Sequence, residues 1–248
     1  MGIFTKPSEN AKKIMDYLDC PCKYFPQGKP LQLIRSAYED AYAVSEMGGF
    51  TPLIICVNDA LADMIDDIRG EYHEGETTEQ FRHRLLEQTL PAAGEWFTKR
   101  LHEIKDAYGS GWEQITQEIG DRGDKMDMLS GFVDFSTKKS RELILAKIPT
   151  DKPWEAFAWI PFGGWNECPD TSVMISAARY WYEQFHAVPA VIASDILEFT
   201  AFPVRDRSAA IGLALEQYAF CPDIIDFRSL EALADTLTQS TVWYFWWD

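Results

Sequence analysis

The run "VWYFWWD", Val242–Asp248, constrains the fold most, because it sets five aromatic residues side by side in one short segment. Strand alternation sends Trp243, Phe245 and Trp247 to one face and Tyr244 and Trp246 to the other. A strand with large aromatics on both faces has to be covered on both, so the segment is expected to be structural rather than a loose tail. "TPLIICV", residues 51–57, is a nearly continuous apolar run and reads as another strand buried on two sides. Sheets of that kind are covered by helices. The expected class is therefore α/β (α+β): a mixed, partly parallel sheet flanked by helices, with a helical insertion.

Helical signals supply the covering layers. Ser8 can cap a first helix carrying Ala11, Ile14, Met15 and Leu18 on one face, which "DCPCKYFPQGKP" ends. Pro30 starts a second helix, with Leu31, Ile34, Tyr38 and Tyr42 at helical spacing and Gly48-Gly49 as its stop. Asp59 can cap a third. Residues 70–140 are polar, charged and helical in pattern, and "GDRGDKMD" is their expected flexible point. Beyond them, "RELILAKIP" and "WEAFAWIPF" read as two strands joined by the turn "TDKP". A helix from Asp170 to Phe185 follows, then the strands "VPAVIA" and "ILEFTAF" on either side of Ser194-Asp195. Helices at 208–220, with Ile211, Leu215 and Tyr218 on one stripe, and at 229–239 precede the aromatic strand. The expected organisation is an N-terminal α/β segment over 1–69, a helical insertion over 70–140 and a C-terminal α/β domain over 141–248.

Charge and cysteine content limit the function classes. The chain has 248 residues and a formal net charge of −16. Residues 141–248 hold 7 basic and 15 acidic side chains and residues 1–140 hold 16 and 24, so the excess is spread evenly. Nucleic acid and anionic membrane surfaces are expected to be excluded as partners, since no Lys/Arg-rich stripe is visible. A basic protein or a small cationic ligand is electrostatically easier. No stretch approaches the roughly 18 apolar residues a membrane span needs, and "MGIFTKPSEN" is not a signal peptide. Five cysteines at irregular spacing, with no export signal, point to reduced thiols and a cytoplasmic location.

Chain direction brings the chemistry-bearing residues together. If strand 154–162 points up, helix 170–185 descends and strand 188–193 rises parallel to it as a right-handed unit. The Ser194-Asp195 link reverses the chain, helix 208–220 climbs, and the last strand rises again. Both Cys-Pro-Asp triplets, at Cys168–Asp170 and Cys221–Asp223, then reach the edge where Asp248 ends the final strand. That edge is the usual ligand crevice of open α/β sheets. The candidate binding residues are Trp165, Asn166, Glu167, Cys168, Asp170, Cys221, Asp223, Trp246 and Asp248. Clustered carboxylates suit acid–base work or a divalent metal, and two thiols add soft ligands. Structural roles compete: Asp170 is an N-cap candidate, Pro222 and Asp223 can end a helix, and free cysteines often serve as small buried apolar residues.

Other motifs carry less. Cys20-Pro21-Cys22 lacks a second ligand pair for zinc. His73, His83, His102 and His186 show no metalloprotease spacing, and no G-x-S-x-G elbow or phosphate-binding glycine loop is present. "WNECP", "YWYEQF", "SDILEF", "EQYAFCPDIID" and "WYFWWD" together resemble the bacterial family called domain of unknown function 4253, over about residues 153–248. The resemblance implies a bacterial, cytosolic α/β domain and assigns no catalytic residue and no cofactor. The expected function is binding: an acidic protein that recognises a basic protein partner, as immunity proteins do, or a small cationic ligand. The alternative is a metal- or thiol-dependent enzyme built on the Cys/Glu/Asp cluster.

Overall fold

In a computed structural model, which describes residues 6–112, 122–225 and 229–248, the chain is α+β, with ten helices among the described residues and a mixed six-stranded sheet. The helices are α1 (Glu9–Leu18), α2 (Leu31–Ala43), α3 (Ser45–Gly48), α4 (Asp59–Gly70), α5 (Thr78–Glu87), α6 (Ala93–Tyr108), α7 (Ala156–Trp159), α8 (Thr171–Phe185), α9 (Arg207–Phe220) and α10 (Leu230–Gln239). The strands are β1 (Cys22–Phe25), β2 (Thr51–Cys56), β3 (Val133–Asp134), β4 (Lys139–Ser140), β5 (Leu143–Ile148), β6 (Val188–Ile192), β7 (Ile196–Thr200) and β8 (Val242–Trp246). Strand order in the sheet is β1-β5-β2-β6-β7-β8, and β3 and β4 form a separate ribbon.

The chain divides into two compact units, neither continuous in sequence. The first comprises residues 1–88, 129–161 and 189–197, the second 89–128, 162–188 and 198–248. Helix α5 belongs to the first unit and α6 to the second.

In the first unit, all six residues of β2 are buried, as an apolar run without alternation requires. Antiparallel β5 lies on one side of it, with Leu53 opposite Ala146, and parallel β6 on the other, with Ile54 opposite Val191. Ser8 caps α1 by accepting from the Ala11 N–H at 3.1 Å, and Ala11, Ile14, Tyr17 and Leu18 are buried beneath it. Asn58, one residue earlier than expected, caps α4 through the Leu61 N–H at 2.8 Å.

Two strand assignments change. Residues 154–162 are not a strand: Pro153–Glu155 forms a 3-10 turn and α7 follows directly. Pro153 suits the first position of such a turn, and Glu155 accepts from the Thr150 hydroxyl at 2.7 Å. Ala156, Phe157, Ala158 and Ile160 are all fully buried, and an apolar run covered on every side carries no period to separate strand from helix. The parallel partner of β6 is consequently β2, not 154–162. Conversely "CKYF" is a strand, with Cys22 opposite Ala146 on β5, where a loop was expected.

The second unit is organised around Trp181 of α8, which is fully buried. Its ring centroid lies 5.3 Å from Phe97, 4.9 Å from Phe220, 5.8 Å from Trp243 and 5.7 Å from Phe245. The Trp181 indole N–H and the Tyr180 hydroxyl both donate to Glu216, each at 3.0 Å. Burial raises that carboxyl above its ordinary value, and the two donors partly oppose the shift. On α9 the buried positions are Ala210, Leu213, Ala214, Gln217, Tyr218, Ala219 and Phe220, whereas Ile211 is exposed, so the inward face is rotated from the expected stripe. The segment 122–127, expected to be loose, is fastened. Gly123 N–H donates to Asp235 at 2.9 Å, and the Met126 carbonyl accepts from Thr241 and Val242 at 3.0 Å each. The "RGD" tripeptide at 122–124 thus belongs to the packing of α10. The Ala201 N–H donates to the Thr241 carbonyl at 2.9 Å, which sets the end of β7 beside the start of β8.

Candidate functional site

Every candidate residue lies in the second unit, and the two Cys-Pro-Asp triplets do meet. The first sits in a loop that closes on itself: the Gly164 N–H donates to the carbonyls of Cys168 at 3.2 Å and Pro169 at 3.0 Å, and the Cys168 N–H to Trp165 at 2.9 Å. Such tight closure needs left-handed backbone, found at Gly163 (φ +96°), Gly164 (φ +83°) and Asn166 (φ +46°). The second triplet follows α9, with Cys221 ending the helix and Pro222–Ile225 forming one 3-10 turn.

Hydrogen bonds join these segments at the end of β8. Asn166 Nδ2 donates to the Asp248 carbonyl at 2.8 Å, and the Asp248 N–H donates to Asp223 Oδ2 at 3.1 Å. The Cys221 thiol lies 3.1 Å from the Trp246 carbonyl, to which it donates. Cys221 is close enough to Cys168 to raise its thiol further. Trp165 packs edge-on against Trp247 at 6.4 Å and Phe162 at 6.3 Å. Residues far apart in number are thus collected at one rim, although the strand from which the expectation started does not exist. The endpoints survived because α8, α9 and β8 themselves set them.

What the groups can do chemically is decided by their surroundings. Both thiols are buried. Burial, with Cys221 nearby, pushes the Cys168 thiol well above its ordinary range, and burial with Asp223 pushes Cys221 up to about 12. An activated thiol nucleophile has a lowered pKa, the opposite of the direction at both. Asp170 caps α8, accepting from the Val173 N–H at 3.0 Å and the Ser172 hydroxyl at 2.5 Å. Glu167 forms an ion pair with Arg100 of α6. Among the described residues no three His, Cys, Asp or Glu side chains group closely enough to hold a metal ion, so the divalent-metal reading finds no ligand set there. What remains outward is a rim. Asn166, Glu167, Asp170 and Asp248 are exposed, and Trp165, Asp223 and Trp246 are half-buried.

That rim falls inside a recognisable stretch of chain. Residues 144–248 match the model of a domain of unknown function, DUF4253. The DUF4253 match begins at Ile144 in β5 and takes in all nine candidate residues. No curated protein and no solved structure matches the chain. Arg100, the partner of Glu167, lies outside the DUF4253 match and escaped the sequence reading. In a charged helical stretch nothing distinguishes a cation that meets the rim from one facing water.

Proposed function

We propose that this chain is a binding protein, and that the rim formed by Trp165, Asn166, Glu167, Asp170, Asp223, Trp246 and Asp248 receives cationic groups, either from a basic protein partner or from a small cationic ligand. The observation that carries the reading is the make-up of that rim. Asn166 Nδ2 donates to the Asp248 carbonyl and the Asp248 N–H donates to Asp223, the half-buried Trp165 and the exposed Glu167 flank Asn166 in the same loop, and Arg100 pairs with Glu167. Indole faces and carboxylates together suit a cation, the first through the ring quadrupole and the second through charge. The net charge of −16 adds long-range attraction, and the raised pKa of both rim thiols gives no support to nucleophilic chemistry. An immunity-type role, in which an acidic protein covers a basic one, is one concrete form. We further infer a bacterial, cytoplasmic setting, which suits five free cysteines; no helix of the described residues is long and apolar enough to cross a membrane.

The test uses a lysine-rich peptide titrated into the full chain at low and high salt. Binding is expected at low salt and should weaken as salt rises. Exchanging Glu167→Gln with Asp248→Asn should weaken it about tenfold, roughly 1.4 kcal/mol, whereas Asp63→Asn with Asp67→Asn on α4 should leave it nearly unchanged. Equal losses from the two pairs would reduce the rim to general charge. Altered stability without altered binding would make it a scaffold.

A further inference from the structure

The Cys20-Pro21-Cys22 motif is absorbed neither by the rim nor by a metal site, and its surroundings in the first unit differ from those of the other three cysteines. Cys56, Cys168 and Cys221 are buried, while Cys20 and Cys22 are partly exposed. The Lys147 N–H donates to the Pro21 carbonyl at 2.9 Å, which carries the β1–β5 ladder back to Pro21. Only Pro21 separates Cys20, in the bend after α1, from Cys22, which opens β1, and each thiol shifts the other's ionisation. Pro21, exposed between them, holds its φ near about −65° and limits the spacing.

A cation is built in beside them. Arg82 of α5 is only 8% exposed. Its Nη2 donates to the carbonyls of Tyr17 at 2.5 Å and Leu18 at 3.2 Å, answering the negative end of α1. The guanidinium stacks 5.5 Å from Tyr17 and 5.2 Å from Trp159, while its buried Nε has no hydrogen-bond acceptor. Its charge reaches Cys20.

We propose that Cys20 and Cys22 are a dithiol–disulfide exchange pair, with Cys20 the attacking thiolate, Cys22 the resolving thiol and Arg82 the buried cation that favours the thiolate. The Cys20 thiol is lowered from its ordinary value, first by the Cys22 thiol and then by Arg82 and the Lys147 N–H, against burial and Asp19. Cys22 is raised, first by the Cys20 thiol. In the reaction the Cys20 thiolate attacks one sulfur of a low-molecular-weight disulfide, RSSR. The S–S bond breaks, RS⁻ leaves and takes up a proton, and a Cys20–SR mixed disulfide forms. Cys22 then loses its proton and attacks the Cys20 sulfur, expelling the second RS⁻, which is protonated in turn. The dithiol is oxidised by two electrons, and RSSR is reduced to two RSH. Two residues of chain reach at most about 6.6–7.2 Å, a limit that takes in the usual Cα separation across a disulfide, about 4.4–6.8 Å, so the two sulfurs can be bridged and the bridge reversed by exchange.

The experiment uses the full, reduced chain. Iodoacetamide labelling at neutral pH, followed by peptide mass spectrometry, should modify Cys20 about tenfold faster than any of the other four cysteines. Equilibration with glutathione disulfide should yield a Cys20–Cys22 bridge. Cys22→Ser, at a partly exposed position, should stop the reaction at the Cys20–glutathione adduct. Comparable labelling of Cys20 and Cys22, or treated wild type that retains both free thiols or accumulates the mixed disulfide, would overturn the proposal.

Discussion

Gly163 shows how much of the rim rests on single residues. Its φ of +96° is accessible to glycine, and a Cβ built there would lie 1.8 Å from the Pro169 carbonyl oxygen. Backbone cannot yield as a flexible side chain can, so Gly163→Ala has to open the loop that presents Asn166 and Glu167. Urea unfolding should show a loss of at least about 2 kcal/mol. The neighbouring Gly164→Ala is the control. Its φ of +83° is also left-handed, but nothing lies within 4 Å of the added carbon, and its loss should be about 1 kcal/mol. Equal losses would mean that the approach to Pro169 is not what the loop depends on. Glycine content alone distinguishes neither position, because the clash partner comes from six residues further along.

Among the elements, caps were the most legible features and strand–helix choices the least. Ser8 and Asp170 each accept from the N–H three residues on, as their position before an apolar period implies. Those signals are local and survive any tertiary arrangement. "WEAFAWIPF" failed because burial of Ala156, Phe157, Ala158 and Ile160 leaves too few exposed positions to show a period, and "CKYF" failed because a short edge strand exists only where β5 offers it a ladder. The turn before α5 is held by a device no period reveals. Glu76 accepts from Arg84 Nε and Nη2 at 2.8 Å each and from the His73 N–H at 2.8 Å. Arg84, the largest cause, pulls the Glu76 carboxyl down to about 2 from an ordinary 4.5. With the folded value depressed, its stabilisation is full above 4.5 and is lost as pH falls towards 2. Wild type should therefore exceed Glu76→Gln in stability near neutral pH, and acid titration of both should close the gap across that window. A gap that is constant or widens in acid would show that the Arg84 contact does not hold the turn.

At the scale of the whole molecule, an excess of sixteen negative charges opposes compaction through self-repulsion. Raising sodium chloride from about 20 mM to about 500 mM shortens the screening length from roughly 20 Å to roughly 4 Å. The thermal midpoint should then rise by about 2–5 °C. A falling midpoint would mean that ion pairs such as Arg100–Glu167 and Arg207–Glu231 outweigh the repulsion. Composition alone determined that balance, since net charge does not depend on fold. The sequence by itself also determined that β2 and β8 must be covered and where many helices begin, because apolar runs and caps act within a few residues. Only the tertiary structure decided which strand lies parallel to β6, which thiols are buried and which remain reachable, and that Arg100 meets Glu167 while Arg82 stands beside Cys20. Those outcomes depend on distances between residues remote in the chain, and such distances are set by packing rather than by any local preference.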